Sequence, residues 1–250
     1  MITAKIQAHR GASAYRPENT LGAFSLALEQ GADCIELDVQ LTKDGHIVVA
    51  HDVRLERVSD GTGLINDHTL GELKRLNFNK LFPKQLPCAI PTLGEVYALI
   101  KDTKATVNVE LKTVELPYPE LPEKLIKTER EYSMGGRVIY SSFNHHSLAE
   151  LKKIEPSAKT GLLYKTGIAD PWIYANRLSA YAIHPNYAEI VMRPGTAARC
   201  HKYGVAVNVW TVDSPNIINY MFRRGVDAVI TNKPDVAFSC REKMNRYNFL

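Results

Sequence analysis

Short runs of β-branched and aliphatic residues alternate with stretches of helical period along most of the chain. Nine runs read as strands: Lys5–Ala8, Cys34–Val39, His46–Ala50, Thr106–Leu111, Arg137–Ser141, Lys159–Leu163, Ala180–Ile183, Val205–Val209 and Ala228–Ile230. In Thr20–Gln30, Leu21, Phe24 and Leu28 share one helical face, with Asn19 placed as N-cap and Gly31 where a C-terminal glycine belongs. Ser214–Arg224 followed by Gly225 repeats that pattern near the other end. Repeated βα units imply a parallel sheet, and about eight of them in 250 residues imply a closed TIM (β/α)8 barrel.

Two departures from that regularity stand out. Asp44-Gly45 is a turn signal between Val39 and His51, where no helix fits, so one of the two strands it joins is expected outside the barrel. Arg54 to Pro91 has little strand pattern and is rich in Gly, Asn, Lys and Pro, which reads as an insertion beside the barrel mouth. Within it only Leu70–Leu76 has helical character. No internal repeat, low-complexity tract or linker divides the chain, so residues 1–250 are expected to form a single domain with an insertion at about 54–91.

Composition changes this picture little. Hydrophobic residues make up 45% and charged ones 23%, ordinary for a soluble globular protein. The longest uncharged stretch, Val138–Ala149, is too short and too polar for a membrane span of about 20 residues. No stable membrane insertion is expected. The opening MITAKIQAHRG lacks the apolar region of a signal peptide, and Cys34, Cys88, Cys200 and Cys240 form no CxxC pair. A cytoplasmic protein with reduced thiols is the expectation. The balance of 31 basic and 27 acidic residues, net +4, contains no basic run longer than a pair, which argues against a nucleic-acid partner.

The chemistry gathers where barrel strands end. His9-Arg10 follows the first strand; Glu36 and Asp38, two apart, face one side of the second. His51-Asp52 ends the third, and Glu110 with Lys112 ends the fourth. Charges on an interior strand face are costly unless paired or bound to a metal. Carboxylates without cysteine favour a hard divalent cation, Mg²⁺ or Ca²⁺, over zinc. A Glu-x-Asp pair alone more often marks a solvated strand edge, and a lone histidine is usually structural; placed together at one mouth, His9 and His51 suit a general acid/base pair. His145 and His146 are placed at a helix start, and His68, His184 and His201 carry no signal. Three carboxylates, a dication, Arg10 and Lys112 leave one formal positive charge, which favours a singly charged anion such as a phosphodiester or a carboxylate over a neutral sugar.

The ordered motifs resemble the glycerophosphodiester phosphodiesterase family. They are His9-Arg10-Gly11, Pro17-Glu18-Asn19-Thr20, Glu36-Leu37-Asp38-Val39-Gln40-Leu41-Thr42-Lys43-Asp44-Gly45 and Val48-Val49-Ala50-His51-Asp52. Ile90-Pro91-Thr92-Leu93, Glu110-Leu111-Lys112, Ser141-Ser142-Phe143, Val209-Trp210-Thr211-Val212, and Gly225-Val226-Asp227 through Thr231-Asn232-Lys233-Pro234-Asp235 follow in order. Each is weak alone; the ordered set is specific and spans nearly the whole chain. The resemblance implies a TIM-barrel enzyme that hydrolyses glycerophosphodiesters, such as glycerophosphocholine or glycerophosphoethanolamine, to glycerol 3-phosphate and an alcohol. It implies metal ligation by Glu36, Asp38 and Glu110, acid/base catalysis by His9 and His51, and phosphate contacts from Arg10 and Lys112. Phe143 and Trp210 fall on the apolar side of the substrate pocket, and Glu18 and Asn19 on supporting positions that orient Arg10 and cap the first helix. A lysophospholipase D of the same superfamily, a non-catalytic metal- or ligand-binding barrel and a nucleic-acid phosphodiesterase are the competing readings. Monomer and homodimer both remain open.

Overall fold

The structure, a computed structural model, describes residues 2–247. Among the described residues nine strands form: β1 (Lys5–His9), β2 (Cys34–Leu41), β3 (Ile47–Val49), β4 (Thr106–Leu111), β5 (Val138–Ser142), β6 (Lys159–Tyr164), β7 (Ala182–Pro185), β8 (Ala206–Val209) and β9 (Ala228–Thr231). Eight of them pair in parallel in the order β1-β2-β4-β5-β6-β7-β8-β9 and close through β9 onto β1. This is the TIM barrel that the βα alternation predicts. The strand left out is β3, which runs antiparallel to β2 with Val39 opposite Val49 and Leu41 opposite Ile47. The turn at Asp44-Gly45 makes it a hairpin arm, and Gly45 sits at φ +79, the conformation such a turn requires.

The first helix, α1 (Leu21–Glu29), differs in detail from the sequence expectation. It buries Ala23, Phe24 and Ala27, whereas Leu21 is exposed. The reason lies in the loop above it: a Cβ on Gly11 would lie 2.7 Å from the Ala23 carbonyl carbon, so this contact admits only small residues. The N-cap is Thr20, whose Oγ1 accepts from the Ala23 N–H at 3.3 Å; Asn19 is not the cap. Asn19 sits at φ +57 and turns its side chain into the barrel mouth instead. Gly31 follows α1 at φ +84, as the C-terminal glycine was expected to, with the Phe238 ring occupying the space of a Cβ.

The main core wraps the barrel wall, where the helices' apolar stripes meet outward-facing strand residues such as Ile35, Leu37, Val107 and Val109. The insertion has its own small cluster, in which Leu55, Ile65, Leu73, Phe78 and Ile90 pack on Val48 and Ala50 of the β3 arm. Its ordered pieces are a 3-10 turn at Ile65–Asp67 and one helical turn at Leu70–Leu73, shorter than the predicted Leu70–Leu76 and closed by a Thr69/Glu72 capping box. Gln85 Nε2 donates to the Tyr15 carbonyl at 2.8 Å, tying the insertion to the loop that follows β1 at the barrel mouth.

Candidate active site

Strand register assembles the site. His9 is the Cα partner of Glu36 across β1 and β2, and Asp38 is the partner of Glu110 across β2 and β4. These inward positions put one oxygen each of Glu36, Asp38 and Glu110 within 4.8 Å of one another, all three side chains being buried. Among the described residues, no other group of three or more His, Cys, Asp or Glu side chains meets so closely.

The electrostatics of this cluster ask for a cation. Burial, then the Asp38 and Glu110 charges, push the Glu36 carboxyl well above the usual range. Burial and the Asp38 charge likewise push Glu110 to about 7. Asp38 is the exception: burial opposes its ionisation, but Arg10 and Lys112 outweigh burial and hold it well below the usual carboxylate range. Arg10 Nε lies 3.2 Å from Asp38 Oδ2. Asn19 Nδ2 donates to that same oxygen at 2.9 Å, while Asp38 Oδ1 is buried with no hydrogen bond and has Lys112 Nζ only at 3.7 Å. A buried carboxylate oxygen left unpaired beside two acids that resist ionising is what a hard dication would satisfy. The cluster is fit to bind a metal ion.

The two histidines reach the mouth by different routes. His9 ends β1, with its Nδ1 2.7 Å from Asn232 Oδ1. Asn232 is itself fixed, donating through Nδ2 and its backbone N–H to the two oxygens of Asp213 at 2.6 and 2.8 Å. Asn232 Oδ1 is therefore an acceptor, so Nδ1 of His9 carries the hydrogen and Nε2 is left with a lone pair. Burial, reinforced by the Arg10 charge, lowers the His9 pKa to about 4. His51 comes back to the mouth on the hairpin. The N–H of Ala50 donates to the Asp38 carbonyl at 3.0 Å. The amide of buried Gln40 donates to the carbonyls of Ala50, His51 and Asp52 at 3.2, 3.1 and 2.6 Å. His51 Nδ1 lies 2.6 Å from Asp52 Oδ1, so a carboxylate backs this imidazole where a neutral amide backs the other.

A cavity of about 200 Å³ opens among these groups, lined by His9, Arg10, Glu36, His51 and Glu110 on its polar side. Phe143, Leu163, Trp210 and Ile230 form the apolar side. Phe143 and Trp210 meet edge to face with centroids 5.5 Å apart, and Trp210 Nε1 donates to the His184 carbonyl at 2.7 Å. Arg10, at φ +56, donates its backbone N–H to Glu36 Oε2 at 2.9 Å and its guanidinium to Glu18 Oε1 at 2.9 Å. Glu18 thus lies in direct contact with Arg10. Asn19 supports the site through Asp38. Lys112 donates to Glu110 Oε1 at 2.8 Å. All eleven residues singled out in the sequence lie at or beside this mouth.

Sequence reasoning missed several neighbours. Lys165, just past β6, lines the cavity with its ammonium 5.7 Å from the Phe143 ring centroid. Asn232 stood in a quoted motif, but nothing local ties it to His9. Asp213 and Arg57 carry no local signal. A second cavity of about 330 Å³ adjoins the first, shares His51, Glu110, Phe143 and Lys165 with it, and adds the apolar side chains of Val53, Leu111 and Val114.

Comparison with known proteins agrees with the geometry. Residues 9–236 match the profile of the glycerophosphoryl diester phosphodiesterase family. A glycerophosphodiester phosphodiesterase of Caldanaerobacter subterraneus is 46% identical over 237 residues, covering 94% of this chain and 97% of that one. Another from Bacillus altitudinis is 38% identical over 242 residues, covering 96% and 99%. Among solved structures, an Oleispira antarctica phosphodiesterase in complex with the product sn-glycerol-3-phosphate superimposes with a TM-score of 0.84 at 28% identity, covering 96% and 97% of the two chains.

Proposed function

From the membership of this chain in the glycerophosphoryl diester phosphodiesterase family, which makes it a glycerophosphodiester phosphodiesterase, we propose a metal-dependent reaction run by two histidines. Its substrates are glycerophosphodiesters such as glycerophosphocholine and glycerophosphoethanolamine, and its products are glycerol 3-phosphate and an alcohol. Glu36, Asp38 and Glu110 hold one divalent cation, Mg²⁺ or Ca²⁺. The ion these carboxylates would hold would supply Lewis acidity toward a phosphate oxygen and a lowered pKa for a nearby hydroxyl or water.

The chain's own groups do the rest. Arg10 and Lys112 offset the charge of the phosphodiester, and Phe143 and Trp210 pack against the glycerol carbons. His9, neutral near pH 7 and with its Nε2 lone pair free, removes the proton of the attacking oxygen. That oxygen is water, which gives glycerol 3-phosphate directly, or the glycerol 2-hydroxyl, which gives a cyclic phosphate that a water then opens to glycerol 3-phosphate, His51 taking the water's proton and His9 returning its proton to the 2-oxygen. His51, its Nδ1 held by the Asp52 carboxylate, gives a proton from its other nitrogen to the leaving alcohol. The leaving alcohol exits toward the second cavity, which His51 borders. Lys165 Nζ lies over the Phe143 ring at 5.7 Å from its centroid, so a quaternary ammonium would have to displace it to use that ring face.

One observation carries this reading: Glu36 and Glu110 of a three-carboxylate cluster, Arg10 and two differently backed histidines line one cavity. The test is a coupled assay of glycerol 3-phosphate release across head groups, with Mg²⁺ and Ca²⁺ each titrated into metal-free enzyme. His9→Ala and His51→Ala are each expected to lower kcat by about 10²–10⁴. Near-normal turnover in either variant, or full activity after thorough chelation, overturns the mechanism.

A lysophospholipid substrate is the second reading, favoured by the apolar lining of the larger cavity and by exposed Leu81 and Leu86 on the insertion. Faster turnover of lysophosphatidylcholine than of glycerophosphocholine would establish it. None of the described helices is long and apolar enough to cross a membrane. Four unpaired cysteines support a cytoplasmic location.

A further inference from the structure

Arg57 belongs to the inserted segment, outside every motif that marks the site, yet it joins the two loops that carry the site's histidine and arginine. Its Nε donates to Asp52 Oδ2, and its two terminal nitrogens donate to the two oxygens of Glu18 at 2.8 and 2.7 Å. Each partner has a second attachment that leads into the cavity. The other oxygen of Asp52 holds His51 Nδ1, and Oε1 of Glu18 also accepts from Arg10 Nη1. Arg10 in turn lies against Asp38. His51, Asp52, Arg57, Glu18, Arg10 and Asp38 thus form one unbroken series of contacts, and Arg57 is the only link contributed by the insertion.

We propose that Arg57 is a positioning residue, which sets the orientation of His51 through Asp52 and of Arg10 through Glu18 without touching the substrate. The proposal rests on the acid/base reading of His51. Without Arg57, Asp52 is free to rotate away from His51, and Glu18 keeps Arg10 as its only partner. The guanidinium's planar fork is what allows three directed bonds to two carboxylates at once. A lysine supplies the charge but reaches the two acids with one nitrogen. The contact is also a physical reason for the insertion to lie at the mouth, since its own apolar cluster packs on the β3 arm that delivers His51.

The test compares Arg57→Ala and Arg57→Lys with the wild-type enzyme on glycerophosphocholine. Arg57→Ala is expected to lower kcat by about 10–100-fold, the cost of misplacing a catalytic group by an ångström or so. Thermal midpoint and affinity for the activating cation stay close to wild type, and Arg57→Lys recovers little of the rate. In an Asp52→Asn background, Arg57→Ala should add much less than it costs alone, because both changes break the same support of His51. Added methylguanidinium should restore part of the Arg57→Ala rate and none of the His51→Ala rate. If Arg57→Ala keeps full kcat while His51→Ala does not, the proposal fails and the function stands. If His51→Ala itself is active, the acid/base reading of His51 fails and the proposal fails with it. A fall in thermal midpoint that tracks the loss of rate, without rescue by methylguanidinium, reduces Arg57 to a structural brace and overturns the proposal.

Discussion

Asn19 donates through Nδ2 to Asp38 Oδ2 over 2.9 Å, and the other carboxylate oxygen, Oδ1, is left buried without a hydrogen bond. One face of Asp38 is committed to holding the side chain in place while the other stays available to a cation. Partners that orient a ligand typically contribute about 10–100-fold in metal affinity. Asn19 is at φ +57, so Asn19→Gly removes the side chain without adding backbone strain. Calorimetric titration with Mg²⁺ or Ca²⁺ should show affinity weakened by about 10–100-fold. Unchanged affinity would mean that Arg10 alone orients Asp38.

Burial and two neighbouring carboxylates already resist ionisation of Glu36. Glu36→Gln should therefore cost the metal-free protein little while removing a ligand. At a cation concentration about 100 times its dissociation constant, the wild type gains about 2.7 kcal/mol. For a chain of this size that is a rise in Tm of roughly 5–10 °C. Differential scanning fluorimetry should show this rise in the wild type and its loss in Glu36→Gln. An equal rise in both would place the cation elsewhere.

Asp213 aims Asn232, and Asn232 aims His9. Asn232→Ala leaves the His9 Nδ1 hydrogen without its acceptor and lets the ring turn or change tautomer. Release of glycerol 3-phosphate should slow by about 10–100-fold, with a smaller loss in Asp213→Asn, which keeps one acceptor for the amide. A normal rate in Asn232→Ala, with circular dichroism unchanged, would show that the barrel wall alone holds the ring.

His184 is fully buried in the barrel, accepting from Asn208 Nδ2 at 2.9 Å, and burial lowers its pKa to about 3. The unfolded chain binds a proton at this residue below about pH 6.5 and the native chain does not. Stability from this group is therefore complete above pH 6.5 and declines as pH falls, by about 1.4 kcal/mol per unit until about pH 3. His184→Gln should lessen the pH dependence of urea unfolding by that amount between pH 6 and 4. Parallel dependences in the two proteins would show that the site opens to water before the protein unfolds.

The barrel and most of the candidate site were legible because their signals are local. A period of two along β2 puts Glu36 and Asp38 on one face whatever they meet, and the alternation of nine strand runs with helical stretches admits few architectures. Asp44-Gly45 likewise announced a hairpin among the parallel strands. What the hairpin accomplishes was not legible: only the pairing of β3 on β2 returns His51 to the level of Asp38, where Gln40 pins its backbone. Asn19 read as a cap because a polar residue before a helix usually is one. Thr20 fills that role because Asn19, in its left-handed conformation, finds a better partner in a buried carboxylate.

The sequence by itself determined the order of elements, the faces of the strands and the inventory of groups that can bind metal and move protons. Tertiary structure decided which of those groups face one another. His9 meets Asn232 because β9 closes on β1, and Arg57 meets Glu18 because the insertion folds back over the first loop. Periodicity and turn chemistry act over a few residues and are written in the chain. Register across a closed barrel depends on every strand between the partners, so contacts between residues far apart in sequence appear only once the barrel has closed.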